Sequence, residues 1–216
     1  MPVDKQIMVP LERALRALDD APTGGPRLVD DAARLWRRAQ KFLTMNLANP
    51  NDVQLDSLEL ACYAVHLPLR GGKNSVRAKL GRTPLRDRTE QAAEMLLGLV
   101  SDVAEEALLD RTARVLHEVP QRQPALDEAK LLADAINLED FSVVGLFTQT
   151  VELARNGDGV HQLVDGVQKR EQYGYWSARL KDGFHFEPVR QIAQQRLERV
   201  RNVAMLLSKE LAEDSP

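Results

Sequence analysis

At 216 residues, with 44% hydrophobic and 28% charged residues, the chain has the size and composition of a folded globular protein and can bury a sizeable core, which excludes a disordered chain. A formal net charge of −3 disfavours general nucleic-acid binding, which takes a basic surface, and no apolar run reaches the roughly 18 residues that span a bilayer. The start, Met1-Pro2-Val3-Asp4-Lys5, has no basic stretch leading into an apolar one, so the expectation is a cytoplasmic protein without membrane contact.

Pro10 is expected to open a first helix carrying Leu11, Ala14, Leu15 and Leu18, since a first-turn proline gives up an N–H that has no helical partner. Pro22-Thr23-Gly24-Gly25-Pro26 closes it. A longer helix follows with Leu28, Ala32, Leu35, Trp36, Ala39, Phe42 and Leu43 on one stripe, broken by Asn49-Pro50-Asn51. Asp56 with Glu59 three residues on has the form of a capping box and predicts a short apolar helix to about Leu67, closed by Pro68 and Gly71-Gly72.

Ala92, Met95, Leu96 and Leu99 mark the next amphipathic segment. Asp102 with Glu105 is suited to cap the one after it, through Leu108, Leu109, Val115 and Leu116. Beyond Pro120 and Pro124, a helix over 127–138 leads almost directly into another bearing Val143, Val144, Leu146, Phe147, Val151 and Leu153. Asn156-Gly157-Asp158-Gly159 ends that stretch, and two long helices are predicted beyond it, over 160–180 and 188–211. No window alternates as a strand does, and no segment repeats. The prediction is an all-α, single-domain bundle of eight to ten helices spanning 1–216, with its core within 10–212. Leu35, Trp36, Ala39, Leu60, Ala61, Val65, Leu116, Leu131, Leu132, Leu138, Val144, Phe147, Leu197 and Leu207 are its expected core.

Several features invite a chemical reading beside a plainer one. Cys62, the sole cysteine, lies in Leu60-Ala61-Cys62-Tyr63-Ala64-Val65 and reads as a packed thiol; a thiolate zinc cluster and an intramolecular disulfide are excluded. The span Arg70, Lys73, Arg77, Lys79, Arg82, Arg86 and Arg88 contains one acid, Asp87, and reads first as a solvated face, with attraction of phosphate or an acidic partner as the alternative. Gly71-Gly72-Lys73-Asn74-Ser75 lacks the spacing of a phosphate loop. Tyr173, Tyr175, Trp176, Phe184 and Phe186 gather aromatics for packing among the last helices. His161 and His185 read as surface or packing residues, and no His-x-x-x-His pair exists.

One stretch carries a family resemblance. His117 is followed by Glu128-Ala129-Lys130 and then by Asp134-Ala135-Ile136-Asn137-Leu138-Glu139-Asp140-Phe141-Ser142-Val143-Val144-Gly145-Leu146-Phe147-Thr148. In order and spacing this resembles the HD-domain metal-dependent phosphohydrolases, whose small bacterial branch carries Asp-Ala-Asp-Arg-Leu-Asp-Ala-x-Gly-Ala-x-Gly-x-x-Arg after Glu-Ala-Lys and a helix-closing histidine. Ala193 and Arg196 fit the family's last helix in kind. The likeness covers about residues 10–212, and only 117–148 is specific.

The resemblance implies a helical fold around a cation held by His, His-Asp and a distant Asp, a set suited to activating water. This chain departs from it. Aligning Arg34-Leu35-Trp36 on the family's Arg-Val-Trp puts Arg27 at the first histidine and Asp31 at the second. His66 is kept, but Leu67 stands at the aspartate; Asp134 is kept, but Ile136 stands at the metal-binding aspartate; Thr148 replaces a phosphate-binding arginine. Arginine and aliphatic side chains offer a divalent metal no lone pair.

The expectation is therefore a catalytically degenerate HD-domain protein with no metal, no cofactor and no catalytic residue. It would act through the remnant cleft of Arg27, Asp31, Arg34, His66, His117, Asp134 and Thr148, binding a phosphate-type anion or a partner protein. Arg27, with Arg34 seven residues along, is the candidate to hold an anion where the family holds its metal. The other reading is a phosphohydrolase with a metal site rearranged onto His66, His117, Asp134 and Asp31. A homo-oligomer is compatible with either.

Overall fold

Among the described residues every regular element is helical and no strand occurs, as the composition and periodicity predict. The computed structural model describes residues 3–19, 28–69, 84–155 and 157–213. Arg27, the turn at 22–26, Gly71-Gly72-Lys73-Asn74-Ser75 and Arg70, Arg77, Lys79 and Arg82 lie outside them. In chain order the helices are α1 (Lys5–Asp19), α2 (Leu28–Thr44), α3 (Leu55–Ala64), α4 (Leu85–Val100), α5 (Glu106–Glu118), α6 (Asp127–Asp140), α7 (Val143–Arg155), α8 (Val160–Gln172), α9 (Tyr175–Asp182) and α10 (Glu187–Glu213), with a 3₁₀ turn at Leu67–Leu69. None is long and apolar enough to cross a membrane. The chain divides into two compact units, Met1–Ala135 and Ile136–Pro216, so the division falls within α6.

In the first unit α3 is the central element, packed by α1, α2, α4 and α5. Its sequence explains the position: Ser57, Leu58, Leu60, Ala61, Cys62, Tyr63 and Ala64 are all buried, and a helix apolar on every side is stable only when surrounded. The α2 stripe meets it with Leu28, Ala32, Leu35, Ala39 and Phe42, while Trp36, expected in the core, is half-buried at the edge of that stripe. Helix α1 begins at Lys5, five residues before Pro10, because Asp4 caps it: the Gln6 N–H donates to Asp4 Oδ1 at 2.8 Å. Pro10 is thus an internal residue, not the helix start.

Neither expected capping box forms. Gln54 and Glu105 occupy the N-cap positions of α3 and α5, without a side-chain cap. The N-terminus of α3 is instead met by Glu128 of α6, whose Oε1 accepts the Gln54 N–H at 2.8 Å. Arg111 of α5 closes on the same carboxylate from its Nη2, 2.8 Å to Oε1 and 3.0 Å to Oε2. One fully buried carboxylate therefore fastens three elements of this unit.

In the second unit α7, α8 and α10 bury Leu146, Leu163, Val167, Val200 and Ala204, with Val143, Leu153, Val203 and Leu207 partly buried against them. Val144 and Phe147, both expected inside, are 50% and 59% exposed. Helix α7 has two apolar stripes, and Val143, Leu146 and Leu153 form the inward one. The predicted helix over 160–180 is two helices, since Gly174 adopts φ +65° between α8 and α9, a left-handed conformation that glycine takes without steric cost. Beyond it Trp176 is buried edge-on to Phe141, ring centroids 5.1 Å apart, with Phe184 5.4 Å from Phe141. The aromatics pack as expected, apart from Tyr173, which is exposed.

The corner between α6 and α7 depends on a glycine. Ser142 caps α7, its Oγ accepting the Gly145 N–H at 2.9 Å while donating to the Glu139 carbonyl at 2.8 Å. A Cβ on Gly145 would collide with the Glu139 carbonyl oxygen, a backbone atom that cannot swing aside. Gly145→Ala should therefore destabilise the second unit by about 1–3 kcal/mol, the usual result of overpacking. Denaturation followed through Trp176 fluorescence in a Trp36→Phe background would measure this, and an unchanged midpoint would refute it.

Candidate functional site

The residues with most chemical interest lie where α3 ends in the first unit. The chain leaves α3 through a tight turn, with the His66 N–H on the Tyr63 carbonyl, and enters the 3₁₀ turn with Leu67 fully buried. This folds the His66 ring back along its own helix. Nδ1 lies 3.0 Å from the Cys62 carbonyl oxygen, and the residue is only 7% exposed. A carbonyl can only accept, so Nδ1 carries the ring proton and Nε2 is left with a lone pair.

Burial is the main reason why this imidazole stays uncharged, and the Arg88 guanidinium adds to it. The bond to Cys62 works the other way, Arg34 again favours the neutral ring, and together they hold the pKa at about 3. The two leading charges on the ring are thus both positive. Arg88 sits in the first turn of α4 and donates from Nε to the Val65 carbonyl at 2.7 Å, fixing its guanidinium beside the backbone of the His66 turn. Arg34, on α2, pairs through Nη1 with Asp31 Oδ1 one turn earlier at 2.7 Å. Arg38, a further turn along, donates from Nη1 to the Ala135 carbonyl of α6 at 2.6 Å. Cys62 is free and buried, with burial pushing its thiol pKa up, as expected of a core cysteine.

The remaining candidates divide. Asp31 and Arg34 are brought together, and Arg34 acts on His66. Asp134 is fully buried in α6 and has interactions of its own. His117 is exposed on the last turn of α5. It is the neighbouring Glu118 that turns inward, accepting the N–H groups of Ala125 and Leu126 at 2.7 and 2.8 Å and the Nε of Arg114 at 3.0 Å. Thr148 belongs to the second unit and spends its hydroxyl on the Val144 carbonyl of its own helix at 3.1 Å. Among the described residues no three His, Cys, Asp or Glu side chains are placed to hold a metal ion.

No family model, curated protein or solved structure matches the chain. The likeness to the HD superfamily thus rests on the motifs quoted above. Three residues that matter were not assigned a role from sequence: Arg88, which appeared only within a basic run, Glu128, which appeared only within the motif frame and reaches Gln54 far back in the chain, and Arg111, which pairs with Glu128 from the preceding helix. For Arg88 the available signal was its place in the first turn after Pro84, where the chain returns to the element it left after His66.

Proposed function

We propose that this chain is a degenerate member of the HD superfamily that works by binding an anionic small molecule of phosphate type at the His66 turn of its first unit. The observation that carries this reading is the placing of Arg88, which donates from Nε to the Val65 carbonyl at 2.7 Å beside the buried His66, and Arg34, like Arg88, favours the neutral form of that ring. Fixed positive charge in a partly dehydrated place attracts an anion and repels a divalent cation. Arg34 and Arg88 supply that charge while engaged elsewhere, Arg34 with Asp31 and Arg88 with Val65, so both are preorganised. Asp31 serves here as the residue that orients Arg34.

Hydrolysis with a rearranged metal site would need His66, His117, Asp134 and Asp31 to converge. His117 faces solvent, and no such group assembles among the described residues. Binding without turnover needs none of them to do so.

Titration of inorganic phosphate and nucleoside monophosphates onto the full chain by calorimetry tests the reading. Saturable binding is expected, and Arg34→Gln should weaken it by about 10- to 150-fold, the equivalent of about 1.5–3 kcal/mol for a charged hydrogen bond. Absence of binding, or an unchanged Kd in Arg34→Gln, would count against the site.

A further inference from the structure

Helix α7 is apolar on two sides, and only one of them is used by the core of the second unit. Val143, Leu146 and Leu153 turn inward, whereas Val144, Phe147, Val151 and Ala154 are exposed. Exposed apolar residues scattered singly are ordinary, but a continuous row along one helix face marks an interaction surface. The four residues are spaced three, four and three apart, the seam along which two helices pack knobs into holes. Thr148 and Thr150 flank the middle of this seam and donate their hydroxyls to the Val144 and Leu146 carbonyls of the same helix, both at 3.1 Å. Covering the flanks would therefore strand no hydroxyl proton.

Spacing and charge together point to what covers this face. The spacing reads the same from either end, so a second copy turned end for end presents a matching seam. A twofold axis between Phe147 and Val151 sets Phe147 against the partner's Val151 and Val144 against the partner's Ala154, a larger side chain against a smaller one in each layer. Residues beside such an axis approach their own copies, so a face that pairs with itself must carry no charge at its centre. From Val143 to Val151 there is no Asp, Glu, Lys, Arg or His, in a chain of which 28% is charged. A foreign helix is ordinarily selected by charged positions flanking the seam, and the middle of this one offers none.

We propose that the outer face of α7 joins two copies of this chain, helix against helix, antiparallel about a twofold axis. Neither the His66 turn nor an anion is needed for it. The seam is about 15 Å long at 1.5 Å per residue and presents on the order of 300 Å² of apolar surface, against about 800 Å² per partner in a standard interface. Met205 and Leu206 of α10, which packs against α7, are exposed as well and add to it. An interface of this size gives a reversible dimer that dissociates on dilution, not a permanent one.

The experiment is sedimentation equilibrium of the full chain from about 5 to about 500 µM, the range in which an interface below standard size titrates. The unmodified protein should pass from monomer to dimer. Phe147→Lys and Val151→Glu, each with an unchanged circular dichroism spectrum because both positions are exposed, should weaken dimerisation at least about 30-fold, since each would bury an unpaired charge. An equimolar mixture of these two variants should associate again: antiparallel packing sets the introduced lysine against the introduced glutamate and leaves the other layer as Phe147 against Val151. Parallel packing would set both introduced charges against apolar side chains. Val9→Lys, at an equally exposed apolar position of α1, should leave the equilibrium as it was. A chain that stays monomeric throughout, or a dimer that Phe147→Lys leaves intact or Val9→Lys abolishes, would overturn the assignment of this face. Failure of the mixed variants to associate would overturn the antiparallel arrangement.

Discussion

Glu128→Ala should destabilise the first unit by about 3–5 kcal/mol, the loss that follows when one partner of a buried ion pair is removed and the other is left uncompensated. The carboxylate is fully buried and accepts from the Gln54 N–H and from both Nε and Nη2 of Arg111. Its position adds a further contribution: a negative charge at the N-terminus of α3 is favoured by the helix dipole, and Gln54 has no side-chain cap to replace it. Removing it strands the Arg111 guanidinium beside the start of a central helix. Glu128→Gln keeps an acceptor for Gln54 but not the charge, so it should lie between alanine and wild type. Urea denaturation followed through Trp36 in a Trp176→Phe background reports on this unit, since each unit contains one tryptophan. Arg111→Ala should cost a comparable amount, and the double substitution much less than the sum, because the two groups act as one. A loss below about 1 kcal/mol for Glu128→Ala would show that these contacts do not hold the unit together.

That fastening marks the limit of what the sequence shows. Apolar periodicity gave the α2 stripe correctly, from Leu28 through Phe42, because a single apolar face on an otherwise charged helix leaves one way to bury it. On α7 the same argument fails: apolar residues occur on two sides, and a period of 3.6 does not choose between Leu146 and Phe147. Packing in the second unit makes the choice. Local capping patterns at Asp56 and Glu59 lost to Glu128, which lies 74 residues along the chain from the Gln54 N–H it accepts, and no local rule sees such a partner. In the candidate site His66 and Arg34 were legible from the motif frame, which fixes order along the chain. The direction of His117 was not, since the buried Val115 and Leu116 and the inward Glu118 leave it the outer face of its turn. Arg88 stayed hidden because its contact with Val65 depends on where the chain returns after residues 70–83.

Acid should weaken the fold through His66 in particular. In the folded chain the ring protonates only at about 3, whereas an unperturbed histidine does so near 6.5. Above pH 6.5 both folded and unfolded forms hold a neutral ring, and His66 puts no pH dependence on stability. As pH falls below that value the unfolded chain takes up a proton that the buried site refuses, so stability is lost progressively toward pH 3. The expected loss from this one group is about 2 kcal/mol between pH 7 and 5 and about 4 kcal/mol by pH 3. Leucine at this position has no proton to gain and suits the apolar surroundings of Leu67 and Cys62, though it leaves the Cys62 carbonyl without its side-chain donor. His66→Leu should therefore show a modest deficit at pH 7 that shrinks or reverses by pH 5, with the difference between the two proteins changing by about 2 kcal/mol over that range. The measurement is a set of urea midpoints for both proteins from pH 7.5 to 4.5, taken as differences so that other titrating groups cancel. Parallel curves for wild type and His66→Leu would mean that the ring is not held neutral in the folded chain, and both the acceptor assigned to Nε2 and the tautomer at Cys62 would have to be given up.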